Sequence, residues 1–335
     1  MPGSYELINY SLRSAKSAER KMLCEAMRKL SVFDTIENYN YIGLGSTYFS
    51  DFSLIHKMLG IEKMTSIEKD DANSGRFDFN RPYSCIQMEY GASEDVLPSL
   101  NWEGRSILWL DYDDRLISPM LTDVNTFISK ATSGSLFILT CNAQADAAVI
   151  AENGGVDVEK TSSFRLHELE KRIGRAKLPV GITHTELTHK NLPKLYYKIL
   201  IDEIKEQLTL RNIDVLEDDI IDFFPLFNFL YKDGAQMLTM GGLLIKRSES
   251  DLLQKANFNS LSFIRRDEIA FSIDIPNLTY KEIKYLDYHL HADYDPVNEI
   301  VQPESNLAQS CIPIDDIKKY AKIYRYFSSF AESIF

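Results

Sequence analysis

Residues 86–116 read IQMEYGASEDVLPSLNWEGRSILWLDYDDRL. Two strand patterns flank a polar loop here, Cys85–Tyr90 ending in Gly91 and Ser106–Asp111 ending in an acidic cluster. SILWLD is apolar without alternation, as a strand covered on both faces should be. Moving outward, Tyr39–Leu44 and Lys63–Glu68 read as short strands upstream, and Ser135–Thr140 (SLFILT) as another buried strand downstream. A helical pattern runs from the turn after Leu44 to Leu59, with Gly60 placed to close it. Strands separated by helix-length segments give βαβ units with right-handed crossovers. Further on, Phe223–Tyr231 and Met237–Ile245 flank Lys232-Asp233-Gly234, the pattern of an antiparallel hairpin. The expected fold is α/β, a doubly wound Rossmann-like sheet of five parallel strands plus a terminal antiparallel hairpin.

The flanks extend this core. Residues 11–30 have helical periodicity, with Leu12, Ala15, Met22, Ala26 and Leu30 on one stripe and charges opposite. The reading divides the chain into an N-terminal helical lid (1–38), the sheet domain (39–246) and a C-terminal extension packed on it (247–335). Residues 145–220 read as mostly helical, with loops at Asn153-Gly154-Gly155 and Leu178–Thr183. They exceed one crossover, so an insertion is expected near 145–190. Among 335 residues, 44% are hydrophobic and 26% charged, the balance of an ordinary globular protein. A net charge of −12 argues against general nucleic-acid binding. No apolar run is long enough to span a bilayer, and the N-terminus lacks a signal-peptide core, so a cytoplasmic location is expected. The four cysteines are far apart and give no zinc or disulfide framework.

The chemistry begins after the first strand, in YIGLGSTYF. Gly43 and Gly45 there are expected to supply backbone angles closed to other residues and to let a ligand approach the main chain around Ser46. Glu68 follows at the tip of the second strand, placed to accept hydrogen bonds from both ribose hydroxyls of an adenosine cofactor. Dinucleotide sites carry a third glycine where this chain has Tyr48. That bulk is compatible with S-adenosylmethionine, which has no phosphate to seat. Ser93 and Glu94, in the loop after the third strand, are expected to read the adenine edge. Asp111-Tyr112-Asp113 projects from the carboxyl edge of the sheet, where acidic groups need a cationic partner.

On these residues the chain resembles catechol O-methyltransferase and related class I S-adenosylmethionine-dependent methyltransferases over about residues 40–142. The shared features are the acidic strand end SIE (66–68), the loop GASEDVLPSL (91–100) and an apolar strand ending LD before DR. Over its whole length, with LRSAK-x-x-ERKM (12–22) and FN-x-P (Phe79–Pro82), it is similar to a bacterial O-methyltransferase group. The resemblance implies ribose binding by Glu68, adenine contacts from Ser93 and Glu94, and Asp111 near the methionine end of the cofactor. It also implies O-methyl transfer. Catechol-type enzymes hold magnesium with the counterpart of Asp111 and an Asp-Asn pair. Here that pair is Cys141-Asn142, and a thiol is a poor magnesium ligand, so no metal is expected. The family's catalytic lysine is absent, leaving Asp111 and Asp113 as the catalytic candidates, Asp113 as base.

Arg13, Lys16 and Arg20 share one helical face ahead of the first strand. They are read either as substrate-binding cations for an acidic or phosphorylated methyl acceptor or as a solvated face. His289 and His291 would point the same way on a strand, with surface or hydrogen-bonding roles favoured over metal binding. Tyr324, Tyr326 and Phe327 suit core or interface packing, and a homodimer is compatible with them. Two rival functions stand beside methyl transfer. One is a nicotinamide-dependent oxidoreductase, disfavoured by Tyr48, and the other a non-catalytic cofactor-binding protein for sensing or assembly.

Overall fold

The computed structural model describes residues 13–152 and 154–328, so Leu12 and Asn153 lie outside the described residues. Strands β1 (Asn40–Leu44), β2 (Lys63–Glu68), β3 (Ile86–Tyr90), β4 (Ser106–Arg115) and β5 (Leu136–Asn142) run parallel in the order β3-β2-β1-β4-β5. The hairpin β6 (Ile221–Asp233) and β7 (Ala235–Lys246) joins antiparallel through β7 against β5. Gly234 turns it at φ 102°, an angle that favours glycine. An eighth strand, β8 (Phe271–Ile273), pairs parallel with β6 and corrects the expected seven. Its three residues are too few for hydrophobic periodicity to register.

Alternation along the central strands assigns side chains to two layers. Trp109 and Ile138 face one layer, with α1 (Ser14–Arg28) and α2 (Ser50–Leu59), while Leu108, Leu110, Leu139 and Cys141 face the other. That second layer is closed by α5 (Ser118–Lys130) and α7 (Leu192–Arg211), through Val124, Phe127, Tyr196 and Leu200. The shorter α3 (Ser74–Asn80) and α4 (Ser93–Val96) flank β3 in sequence. Within the expected insertion lies α6 (Val158–Ile173).

Helix α1 departs from the amphipathic picture. Ala15, Met22 and Ala26 are buried as expected, but so are Lys16, Glu19 and Arg20 on the charged side. The extension beyond residue 247 encloses it, since Phe258, Phe263, Phe271 and Tyr326 belong to the same apolar cluster as Met22 and Met27. Polar ties reinforce this: Lys21 Nζ donates to Ser328 Oγ at 2.6 Å, and the Tyr326 hydroxyl donates to Glu25. The amides of Ala15 and Lys16, at the start of the helix, donate to the Asp233 carboxylate at 3.4 and 2.9 Å. A carboxylate there satisfies otherwise unpaired N–H groups and the helix dipole.

The rest of the extension includes α8 (Ser250–Ala256), α9 (Tyr280–Asp293), the short pair β9 (Tyr294–Asp295) and β10 (Ile300–Val301), α10 (Asn306–Gln309) and α11 (Ile314–Ile323). His289 and His291 sit on helix α9, so two-residue spacing separates rather than aligns them. His289 Nδ1 lies 3.7 Å from Asp293, one helical turn on. Among the described residues no helix is long and apolar enough to cross a membrane.

Candidate active site

The sheet order reverses between β1 and β4, and their carboxyl ends open a crevice, the place where ligands settle in such sheets. One cleft there is lined by Arg20, Gly45, Ser46, Phe49, Asp51, Glu68, Asp111 and Asp113. The expected turn residues Gly45 and Ser46, the expected ribose ligand and both strand-tip aspartates therefore meet in one place. Gly43 does not reach it. It lies inside β1, paired with Ser66 and Trp109.

The glycines are needed for space, not for unusual backbone angles as expected, because neither has a positive φ. A Cβ on Gly45 would stand 2.2 Å from Ser66 Oγ and 3.9 Å from Glu68 Oε2. The left-handed conformation falls on Phe49 instead, at φ 45°. A buried aromatic residue in that region marks a tightly determined turn. Phe49 leads into α2, whose first turn carries Asp51.

Glu68 meets little to stabilise its charge. Its Oε1 accepts from the Asp70 amide at 3.3 Å, and burial pushes its carboxyl up to about 7 despite that bond and one from the Lys69 amide. It is an acceptor short of donors, which a ribose diol would supply.

Asp111 stands in the opposite condition. Lys16 Nζ donates to its Oδ1 at 2.6 Å and to the Tyr231 hydroxyl at 3.2 Å, and lies 2.7 Å from Glu19 Oε2. The same ammonium sits 4.8 Å from the centre of the Trp109 ring. Burial opposes the charge on Lys16, but Asp111 and Glu19 together hold its pKa well above the ordinary lysine value. Glu19 in turn accepts from Thr239, which pairs with Thr140 at 2.8 Å. Arg20 donates to Asp51, and Arg13 lies 4.0 Å from Asp113 and 3.9 Å from Asp233. The three cations do share a face, but it is turned inward against carboxylates. Neither a solvated face nor an exposed anion patch describes it.

Past Asp111, β4 departs from regular register. Asp111 pairs with Thr140, yet Arg115 pairs with Asn142, so residues 112–114 bulge opposite Cys141 alone. The bulge leaves the Asp113 side chain 41% exposed against 17% for Asp111. Asp113 is thus the carboxylate that an incoming molecule meets first.

Ser93 is buried beside this region rather than lining the cleft. Its hydroxyl donates to Asp123 Oδ2 at 2.7 Å and stands 2.9 Å from the Tyr112 hydroxyl, which also donates to Asp123. Burial raises the Asp123 carboxyl to about 6 against those two bonds. This trio ties the loop after β3 to the end of β4. Glu94 is half-buried next to it and does not line the cleft. Sequence reading assigns no role to Glu19, Asp51 or Asp123, and it names Tyr112 only as part of the strand end. Only Glu19 carried a signal, its i,i+3 spacing from Lys16.

The residues do not fit the catechol-type magnesium site. Lys16 already occupies Asp111, the Asn142 side-chain oxygen accepts from the Gln144 amide at 2.9 Å, and Cys141 belongs to the opposite core layer. Burial raises the Cys141 thiol to about 12, far from the thiolate a metal requires.

A family profile described as "Putative O-methyltransferase" matches residues 8–335. No curated protein matches the chain. Among solved structures, Trm1 from Pyrococcus horikoshii with S-adenosyl-L-methionine aligns at TM-score 0.43 and 10% identity, covering 75% of this chain and 60% of that one. Human N-acetylserotonin methyltransferase with the same molecule gives 0.32 and 12%, covering 65% and 51%. A probable spermidine synthase from Corynebacterium glutamicum gives 0.33 and 12%, covering 38% and 49%. The chain thus spans between about half and three fifths of these structures. Likeness this distant carries no inference about chemistry.

Proposed function

Because this chain belongs to the O-methyltransferase family whose profile spans residues 8–335, we propose that its cleft binds S-adenosylmethionine and transfers the methyl group to an acceptor hydroxyl. The observation that supports this most is the meeting of the Gly45-Ser46 turn, Glu68 and Asp111 in one crevice at the sheet's switch point. The donor set suits the molecule: an under-satisfied carboxylate for vicinal hydroxyls, a close-approaching main chain, and a strand-tip carboxylate for an ammonium. When bound, S-adenosylmethionine supplies a methyl group on an electron-poor sulfonium.

The chain's residues hold and orient. Glu68 accepts from the ribose hydroxyls, the Gly45-Ser46 turn supports the methionine portion, and Asp111 faces its amino group. The loop at Ser93 and Glu94, tied by Asp123 and Tyr112, lies outside the cleft lining and is assigned a supporting role rather than direct contact with the adenine. Asp113, exposed on the bulge, accepts the proton of the acceptor hydroxyl. The four carboxylates of the cleft, Asp51, Glu68, Asp111 and Asp113, outnumber the three cations that meet them among the described residues, Arg20, Lys16 and Arg13. An acidic or phosphorylated acceptor is therefore a poor fit, and we assign a neutral or cationic one.

Calorimetry with S-adenosylmethionine, its demethylated product and NAD tests the reading. The first two should bind with dissociation constants of about micromolar order and NAD should not. Methyl label appearing in small molecules of a cell extract, on oxygen, checks the transfer. NAD binding alone would move the protein to the oxidoreductases, and cofactor binding without label transfer would leave a sensor.

A further inference from the structure

Lys16 has surroundings that the cofactor reading leaves unused. Its whole side chain is buried, and its ammonium is held by Asp111 at 2.6 Å, Glu19 at 2.7 Å and the Tyr231 hydroxyl at 3.2 Å. Two carboxylates and a phenol oxygen around one centre make a set of hard oxygen donors, such as a divalent ion would take. Helix α1 had a simpler way to pack. An apolar residue would avoid the cost of desolvating three charges, which is several kcal/mol per ion. Arg20 adds a second positive charge that acts on the same two carboxylates. Glu19 is wholly enclosed and Asp111 is partly open to the cleft, so Asp111 is the carboxylate of the pair that a ligand can reach.

We propose that Lys16 is a positioning residue that serves as the resident cation of the site. It holds Asp111 where a catechol-type site would hold the same carboxylate with magnesium. It takes no part in proton transfer. Its work is to keep one Asp111 oxygen fixed, so that the other faces the cleft in a single orientation. The site is then metal-free by construction. Removing the ammonium should turn Asp111 and Glu19 into a divalent-cation site. The half concerning cofactor orientation rests on the function proposed above, whereas the half concerning the cation does not.

The test titrates Mn²⁺, read by the loss of its free electron-paramagnetic signal, into the full chain and its variants. Wild type should show no saturable binding below about 1 mM. Lys16→Met should bind one Mn²⁺ at least about tenfold more tightly, and Lys16→Met/Asp111→Asn should lose that gain. Calorimetry then measures S-adenosylmethionine with and without Mn²⁺. Lys16→Met should lose about tenfold in affinity, Mn²⁺ should restore most of it, and wild type should not respond. A lysine that merely anchored α1 would not be replaced by a divalent ion. If Lys16→Met does not fold, Lys16→Met/Glu19→Gln removes one charge of each sign and should show the same rescue, more weakly. Stoichiometric Mn²⁺ on wild type that disappears in Asp111→Asn would overturn the proposal. So would a folded Lys16 variant that gains no Mn²⁺. Absence of cofactor binding by wild type, with the Mn²⁺ results as expected, would instead overturn the cofactor reading alone.

Discussion

Glu68 and Asp111 stand at matching places, near the carboxyl ends of parallel strands β2 and β4, yet their surroundings oppose each other. Glu68 has backbone amides for company and a carboxyl raised to about 7. Asp111 has a buried ammonium at 2.6 Å. One carboxylate is left wanting donors, and the other is answered from within the protein. The residue type and its place in the fold are thus not enough to assign a role. What matters is how much of the charge the protein has already met.

Removing the internal answer should produce the largest effect. Lys16→Met leaves two buried carboxylates without their cation and should cost about 3–5 kcal/mol of folding stability in urea unfolding. A loss under about 1 kcal/mol would place the pair with surface ion pairs and erase the contrast.

Glu68→Ala should behave in the reverse way. Its cost falls on cofactor affinity, about 1.5–3 kcal/mol by calorimetry. Folding should not suffer. A carboxyl whose folded pKa is raised disfavours the folded state once pH exceeds its unfolded value near 4.5, most fully above about 7. At pH 8 the variant should therefore unfold at the same or higher urea.

Gly45→Ala places a Cβ against Ser66 Oγ and should destabilise by about 1–3 kcal/mol. Ser66 is buried and its hydroxyl has no hydrogen-bond partner among the described residues, so Ser66→Gly should be cheap and should recover most of the loss in the double variant. Additive losses would show that the turn is held by something other than this contact.

A smaller effect is expected from pH alone. If ribose hydroxyls bind the ionised Glu68, cofactor affinity should rise with pH and level off above about 7, the value set by burial. Below that, affinity should fall by up to about tenfold per pH unit, and Glu68→Gln should flatten the curve. A curve that is unchanged in Glu68→Gln would assign the titration to another group.

The readable parts of this molecule are those where chemistry is local. Runs such as SILWLD and SLFILT announce buried strands, and the ends of SILWLD and TSIE (65–68) place Asp111 and Glu68 at the carboxyl edge of the sheet. The α1 network was not readable, because lysine, glutamate and arginine at helical spacing normally face water. Only tertiary packing, with Asp111 and Asp51 supplied from other elements and the extension laid over the helix, turns them inward. The spatial need at Gly45 is hidden for a similar reason, since Ser66 belongs to the next strand. Phe49 gives no sign of its left-handed backbone, and the bulge at 112–114 shows only once β5 is paired beside it.

The ties between α1 and the extension also set an order of events. Ser17 and Lys21 meet Ser328 across 311 and 307 positions, and Glu25 meets Tyr326 across 301. Contacts of that span close late, after local and sheet contacts have already reduced the chain's freedom. Helix α1 is then expected to be seated after the sheet strands have paired. Pulsed hydrogen exchange during refolding should show β4 and β5 protected before α1.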